Sequence, residues 1–374
     1  MTQVKEKIAF IKAGDFSHIN EMTLEIISKE FPDAEIEVID ILAGLVNNKN
    51  LLTIFHSIKS YGMELSAYPN RVLDRRMFTD YFYNNTRKAL LQRLSNQKYL
   101  FTFQTQSLFD GSIPGTPHFL YTDHTMLANL EYPAFDKKNL PPSSWLECEK
   151  NIYRNATINF TMSTNISRSI VNDYDCDSTR VVCVHAGASA AVAEDEIFDE
   201  RRYSSQNILF VGVDWERKGG PVLAEAFKLV LAKCPQATLT IIGCTPKLNI
   251  PNCDIVGKIP LADVSTYFKK SAVFCLPTRI EPFGIVFLEA MAHKLPIVAT
   301  NIGAIPEFVA EGKNGYIVEP DNPQQLAQKL IETISSPKRC QDFGAYGHQV
   351  FWNTYTWHKT GIKLRENIEQ YIRN

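Results

Sequence analysis

Thr278-Arg279-Ile280-Glu281-Pro282-Phe283-Gly284-Ile285-Val286-Phe287-Leu288-Glu289-Ala290-Met291-Ala292 follows the apolar run 272–276, and together they read as strand, tight turn and helix. Pro282 and Gly284 mark the turn, and the helix begins near Gly284. A helix entered directly from a buried strand is one step of a β-α-β series and argues for a parallel sheet. Its start carries free backbone N–H groups and a partial positive charge, which together suit an anion. Glu289 lies about 7.5 Å beyond Gly284 along the axis, at ~1.5 Å per residue, while Glu281 sits in the turn itself. Glu289 is also the one ionisable residue in the apolar run 284–292. A solvated face would carry more polar positions, so Glu289 faces a partner inside the protein or a ligand. Each acid alone also reads as structural, Glu281 complementing the helix dipole and Glu289 pairing an Arg. Their joint placement favours a binding site.

The same grammar extends outward in both directions. Strand candidates at 207–212, 237–242, 254–256, 296–300 and 315–318, with a helix at 221–233, make the second half a β-α-β series. The first half repeats it, with strands at 7–12, 36–41, 99–103, 117–122 and 158–162 and a helix over 19–31. Two such series predict two Rossmann-like, doubly wound α/β domains, residues 1–188 and 206–356. Residues 189–205, Ala-rich and acidic without periodicity, read as the linker, and a helix over 357–374 is expected to cross back to the first domain. Ligands of such sheets sit beyond the carboxyl ends of the strands, so two facing domains would share a cleft.

The span Glu281 to Glu289, continued by Ala290-Met291-Ala292, Leu295-Pro296-Ile297-Val298-Ala299-Thr300, Gly303, Pro306-Glu307 and Gly312-Lys313-Asn314-Gly315-Tyr316, resembles the E-x7-E signature of the retaining glycosyltransferases of family four, of bacterial polysaccharide and glycolipid type, which have the GT-B fold. The resemblance implies that Glu281 accepts hydrogen bonds from donor-sugar hydroxyls and that Glu289 holds the nucleotide ribose. A carboxylate accepts from two vicinal hydroxyls at once, which suits both roles. It implies further that backbone amides of Phe283, Gly284 and Ile285 meet the sugar or the diphosphate. In Gly212-Val213-Asp214-Trp215-Glu216-Arg217-Lys218-Gly219, Lys218 matches the family's diphosphate lysine, whereas Val213 stands where an Arg is usual. Arg217 is the candidate substitute, because a guanidinium binds phosphate bidentately; the alternative is a solvated turn residue. His124, after the strand ending in Tyr121-Thr122-Asp123, matches the histidine near the reacting end of the donor sugar, although a lone His after a strand is also commonly structural. Gly14 matches the loop that approaches the donor phosphate, with Ala13-Gly14-Asp15 in place of the usual Gly-Gly pair. Backbone near Gly243 and Lys258 is expected to meet the base.

The implied activity is transfer of a hexose from a nucleotide-diphosphate sugar, UDP-glucose first and GDP-mannose next, to a glycan or lipid-linked acceptor. No cofactor or metal is expected. The pair Asp175 and Asp177 lacks the β-rich context of a metal-binding D-x-D and reads as a turn, and no cysteines fall at zinc-finger spacing. Two other readings stay open: a nucleotide-sugar epimerase of the same build, and a non-catalytic sugar-nucleotide-binding subunit of an assembly complex.

Composition bounds the partners. Thirty-nine Lys and Arg against 41 Asp and Glu give a net charge of −2 over 374 residues, which excludes bulk-charge binding of nucleic acid. No apolar run reaches the ~18 residues of a spanning helix, and the first residues do not resemble a signal peptide. A soluble, cytoplasmic chain is the expectation, with the eight scattered cysteines as small buried hydrophobes. Charge is uneven, however. Residues 71–98 hold seven basic side chains against Asp74 and Asp80, a local +5 that leaves −7 elsewhere. With the apolar stripe Leu90, Leu91 and Leu94, the segment reads either as a peripheral dock on an anionic inner-membrane surface or as a solvated face.

Overall fold

The structure is a computed structural model, and it describes residues 6–15, 18–45, 51–62, 75–189 and 192–372. It divides into two compact units. The first comprises Met1–Asn129, Asp136–His185 and Thr360–Asn374, and the second Leu130–Phe135 and Ala186–Lys359.

In the first half the order is β1 (Lys7–Lys12), α1 (Ile19–Glu30), β2 (Glu35–Asp40), α2 (Leu51–Tyr61), α3 (Asp80–Leu94), β3 (Phe101–Thr105), β4 (His118–Thr122), α4 (Ser143–Asn155), β5 (Ile158–Thr161), α5 (Thr164–Asn172) and β6 (Val181–Cys183). The strands form one sheet in the order β2-β1-β3-β4-β5-β6, and every pairing is parallel. Every residue of β3, β4 and β5 is buried, as expected of strands covered on both faces. Helix starts follow local chemistry: Thr79 caps α3 by accepting from the Phe82 amide, and Ser163 caps α5 by accepting from that of Ile166.

The second half runs β7 (Asn207–Val211), α6 (Gly220–Lys233), β8 (Thr238–Ile242), β9 (Cys253–Gly257), α7 (Leu261–Lys270), β10 (Val273–Leu276), α8 (Ile285–Ala292), β11 (Ile297–Thr300), α9 (Ile305–Phe308), β12 (Gly315–Val318), α10 (Pro323–Ile334), α11 (Pro337–Thr354) and α12 (Trp357–Ile372). Its sheet, β12-β11-β10-β7-β8-β9, is parallel throughout. From β7 the chain proceeds outward to β8 and β9, then returns to the other side of β7 with β10. Strand order therefore reverses between β7 and β10, and in a doubly wound sheet that reversal opens a crevice at the strands' carboxyl ends. The loops opening there are residues 212–219 and 277–284, the two segments singled out in the sequence.

Two sequence expectations need correction. Most of the α3 stripe is spent on the core: Leu90 and Leu94 are fully buried against Ala9, Ile11 and Phe82, and Leu91 is half-buried. Arg87 meets Asp110 and the carbonyls of Asp110 and Ser112, and Arg93 pairs with Glu37. Arg71 and Asp74, which enter the +5, lie outside the described residues. The segment 189–205 is likewise not wholly a linker. Glu200–Ser205 forms a 3-10 helix whose Arg202 is buried, donates to His293 O at 2.7 Å and lies over the rings of Phe198 and Tyr203. Among the described residues no helix is long and apolar enough to cross a membrane.

Candidate active site

In the second unit, β7 delivers its chain into a tight loop. The Arg217 amide donates to Asp214 Oδ1 at 3.0 Å, and the Lys218 and Gly220 amides donate to Asp214 O and Trp215 O at 3.0 and 2.8 Å. Gly219 adopts φ +72°, and a Cβ there would lie 1.8 Å from Pro277 O, so only glycine lets this loop touch the one after β10. The two loops are then sewn together. The Arg279 amide donates to Arg217 O at 2.9 Å, Arg217 Nη1 donates to Ile280 O at 2.8 Å, and Thr278 Oγ1 donates to Arg217 O at 3.2 Å.

This framework buries three ionisable side chains. Lys218 is 9% exposed, Glu281 5% and Glu289 5%, and the Lys218 ammonium donates to Glu281 Oε2 in an ion pair. A buried charge is tolerated only when compensated, so the pair accounts for both Lys218 and Glu281. Glu289 lies on α8 among Phe287, Leu288, Ala290, Met291 and Ala292, all buried. At the start of α8, Gly284 takes φ +93° with no side-chain cap; the Phe287 amide turns back to Gly284 O at 3.0 Å, and helix geometry leaves the amides of Ile285 and Val286 without an intrahelical acceptor. Phe283 is buried with its ring edge-on to Phe308, so its side chain belongs to the core and only its backbone faces the turn.

Arg217 is engaged within the loops. Its guanidinium donates to Ile280 O and lies 3.7 Å from Asp214 Oδ2, bracing the two loops against each other. Gly243 follows β8 beside the first loop: its φ is +97° and a Cβ would stand 2.7 Å from Gly212 O. Lys258 is exposed beyond the edge strand β9, two strands from β7.

In the first unit, Gly14 follows β1 with φ +62°. Its amide donates to Asp40 Oδ1 at 2.9 Å, and its carbonyl accepts from Asn20 Nδ2 at 2.8 Å. Burial would raise the Asp40 pKa, but the amides of Gly14 and Leu42 and the Lys12 ammonium outweigh it and hold the carboxyl below its usual range.

His124 follows β4, and its tautomer can be read from its neighbours. Asn129 Nδ2 donates to Met126 O at 3.1 Å and lies 2.9 Å from His124 Nε2. The same amide nitrogen thus serves both, so Nε2 accepts and the proton resides on Nδ1. Nδ1 is buried without a hydrogen-bond partner in the structure. Burial lowers the His124 pKa to about 4, so the ring is neutral near pH 7 and carries an uncommitted N–H.

Sequence reasoning missed what supports this loop. Glu149, fully surrounded on α4, accepts from the Met126 amide at 3.1 Å and from the hydroxyls of Tyr153 and Tyr174, while the Leu127 amide donates to Tyr174 Oη at 3.0 Å. Burial raises the Glu149 pKa to about 7, and these donors only partly offset it. A signal existed: Glu149 shares a helical face with Trp145, Ile152 and Tyr153, where a solvated acid would not stand.

Comparison with known proteins follows this division. Residues 193–350 match the family model described as glycosyl transferases group 1. An uncharacterized glycosyltransferase of Methanocaldococcus jannaschii is 26% identical over 224 residues, covering 58% of this chain and 62% of that protein. A D-inositol 3-phosphate glycosyltransferase of Corynebacterium urealyticum is 26% identical over 274 residues, covering 66% and 64%. The chain thus spans somewhat under two thirds of these relatives. Among solved structures, sucrose-phosphate synthase from Thermosynechococcus elongatus superposes with a TM-score of 0.71 at 15% identity over 98% of this chain and 99% of that one. HepE of Anabaena, in complex with UDP, gives 0.66 at 15% identity over 97% and 100%. Two parallel six-stranded sheets and these likenesses establish the GT-B fold, α/β with two Rossmann-like units. The matched span 193–350 contains Lys218, Glu281 and Glu289, and it is there that the chain is similar to the glycosyl transferases of group 1.

Proposed function

We propose that the protein is a retaining hexosyltransferase that uses a nucleotide-diphosphate sugar, without a metal, and delivers the sugar to a glycan or lipid-linked acceptor. The observation that carries this reading is the buried Lys218–Glu281 pair at the β7/β10 reversal, with Glu289 on the adjoining helix, inside the span matching the group 1 family model. In the reaction the bond from the anomeric carbon to the leaving phosphate breaks, and negative charge collects on the diphosphate. Stabilising that charge is the main catalytic demand. Lys218 and the first-turn amides of α8 meet it, while Arg217 acts by holding the loops. Glu281 accepts from sugar hydroxyls and Glu289 from the ribose. The acceptor oxygen attacks the same face, and its proton passes to the departing phosphate. His124, by its match to the family's histidine, is proposed to act on the sugar through its Nδ1–H.

UDP-glucose is the first donor to test and GDP-mannose the second; HepE has been solved with UDP-glucose, and one relative is a GDP-mannose-dependent mannosyltransferase. A true donor raises the unfolding midpoint by mass action, so a thermal screen of nucleotide sugars identifies it. Nucleotide release that depends on added acceptor, with product retaining the donor's anomeric configuration, is the expected outcome. Isomerised donor without acceptor would make the protein an epimerase, and binding without turnover would make it a binding subunit.

A further inference from the structure

The segment Leu130–Phe135 lies in sequence between β4 and α4 but belongs to the second unit. Within it Tyr132 is 2% exposed, and its hydroxyl donates to the main-chain carbonyl of Glu281 at 3.0 Å. That carbonyl is a critical handle. The next residue is Pro282, which has no N–H, so the peptide joining Glu281 to Pro282 can be anchored only through its oxygen. Gly303 closes on the same oxygen from another side: a Cβ at Gly303 would lie 2.3 Å from Glu281 O and 3.1 Å from Tyr132 Oη. On the side-chain side, a Cβ at Gly284 would come within 3.1 Å of Glu281 Cγ, and Lys218 holds the carboxylate. Glu281 is thereby fixed at its carbonyl, its stem and its carboxylate.

We infer that Tyr132 is a positioning residue for Glu281, fixing the peptide 281–282 so that the carboxylate meets the sugar of a nucleotide-sugar donor. The inference rests on the proposed donor reading. It has a specific consequence: Tyr132 governs the part of donor affinity that comes from the sugar, and leaves the part from the nucleotide and diphosphate alone. A side chain that merely filled space would weaken both parts together.

The test is titration calorimetry of the full chain with UDP and with UDP-glucose in parallel, for the wild type and Tyr132→Phe, which deletes one hydroxyl and retains the ring. If the thermal screen identifies another donor, that nucleotide sugar and its own nucleoside diphosphate take their places. The variant is expected to bind the nucleotide sugar five- to ten-fold more weakly, about the weight of one hydrogen bond. Its affinity for the nucleoside diphosphate should stay within two-fold. Gly303→Ala, which drives a methyl group toward Glu281 O, is expected to lose the sugar-dependent affinity more completely, and retained nucleoside diphosphate binding by either variant shows that it has folded. Equal weakening of both ligands, or of neither, in Tyr132→Phe overturns the inference while leaving the donor reading intact. A wild type that binds the nucleotide sugar no better than the nucleoside diphosphate overturns the donor reading, and the role of Tyr132 with it.

Discussion

Glu281 and Lys218 are the two site groups whose energetic relation can be isolated cleanly, because the structure buries both and pairs them. Side-chain exposure is 11% for Lys218 and 7% for Glu281. Lys218→Met leaves a buried carboxylate without its cation, and Glu281→Gln leaves a buried ammonium without its anion. Breaking a pair of this kind from one side costs about 3–5 kcal/mol. At roughly 2–4 °C per kcal/mol for a unit of this size, each single variant should lower the second unit's unfolding midpoint by about 6–20 °C. The double variant removes both charges and leaves neither stranded, so it should be more stable than the less stable single variant, with a coupling of at least about 1 kcal/mol.

Scanning calorimetry is the assay, because it resolves the two units if they melt separately. Trp215, packed on Gly220 at the start of α6, gives a local fluorescence signal for the same transition. Activity supplies the second axis. Both single variants should lose transfer, and the double variant should regain stability without regaining turnover, since Lys218 is needed for the leaving group and Glu281 for the sugar. Additive destabilisation within about 0.5 kcal/mol would refute the pairing. Recovery of transfer in the double variant would refute the assignment of separate chemical roles.

Acid should weaken the first unit in a calculable way. Burial lowers His118 and His124 to about 4 each, so the unfolded chain takes up their protons near pH 6.5 while the folded unit does not, and stability falls between those values. Glu149, raised to about 7, opposes this by binding a proton in the folded state first, leaving a net loss of about 1.4 kcal/mol per pH unit near pH 5.5; Glu149→Gln should roughly double the slope measured by urea unfolding. Because His124 stays neutral, kcat/KM should show no inflection from it near pH 6.5, and nitrogen-15 NMR should report the Nδ1–H tautomer. Asn129→Asp replaces the donor to Nε2 with an acceptor, so it should shift that signature and cut turnover at least ten-fold; an unchanged spectrum would refute the tautomer assignment. Arg217→Ala should destabilise the second unit by about 1–3 kcal/mol through the lost bond to Ile280 O, with UDP affinity changed less than five-fold; a larger loss of affinity would return Arg217 to the phosphate.

Legibility in the sequence followed the range of the forces involved. The strand-turn-helix at 272–292 was readable because a buried strand, a proline-glycine turn and an apolar helix are each specified by neighbours within a few residues, and the helix at Trp357–Ile372 was readable for the same reason. The crevice between β7 and β10 follows from strand order, and so from the repeated β-α-β grammar, which is why both charged loops fell together as expected. Arg202 was not readable, because what makes its burial tolerable is the carbonyl of His293, 91 residues away. Tyr132 escaped for a related reason: nothing local distinguishes a tyrosine in Leu130–Phe135 that will reach Glu281 O, 149 residues on. The stripe of α3 shows a different limit. Leu90 and Leu94 at helical spacing beside Arg87 and Arg93 form an amphipathic pattern, and periodicity reports only that one face avoids water. Whether lipid or protein supplies the dry surface depends on what the fold sets opposite. Here Ala9, Ile11 and Phe82 pack against the leucines, and Asp110 and Glu37 answer the arginines. Two of the charges that suggested a membrane, Arg87 and Arg93, instead fasten the helix to its own unit.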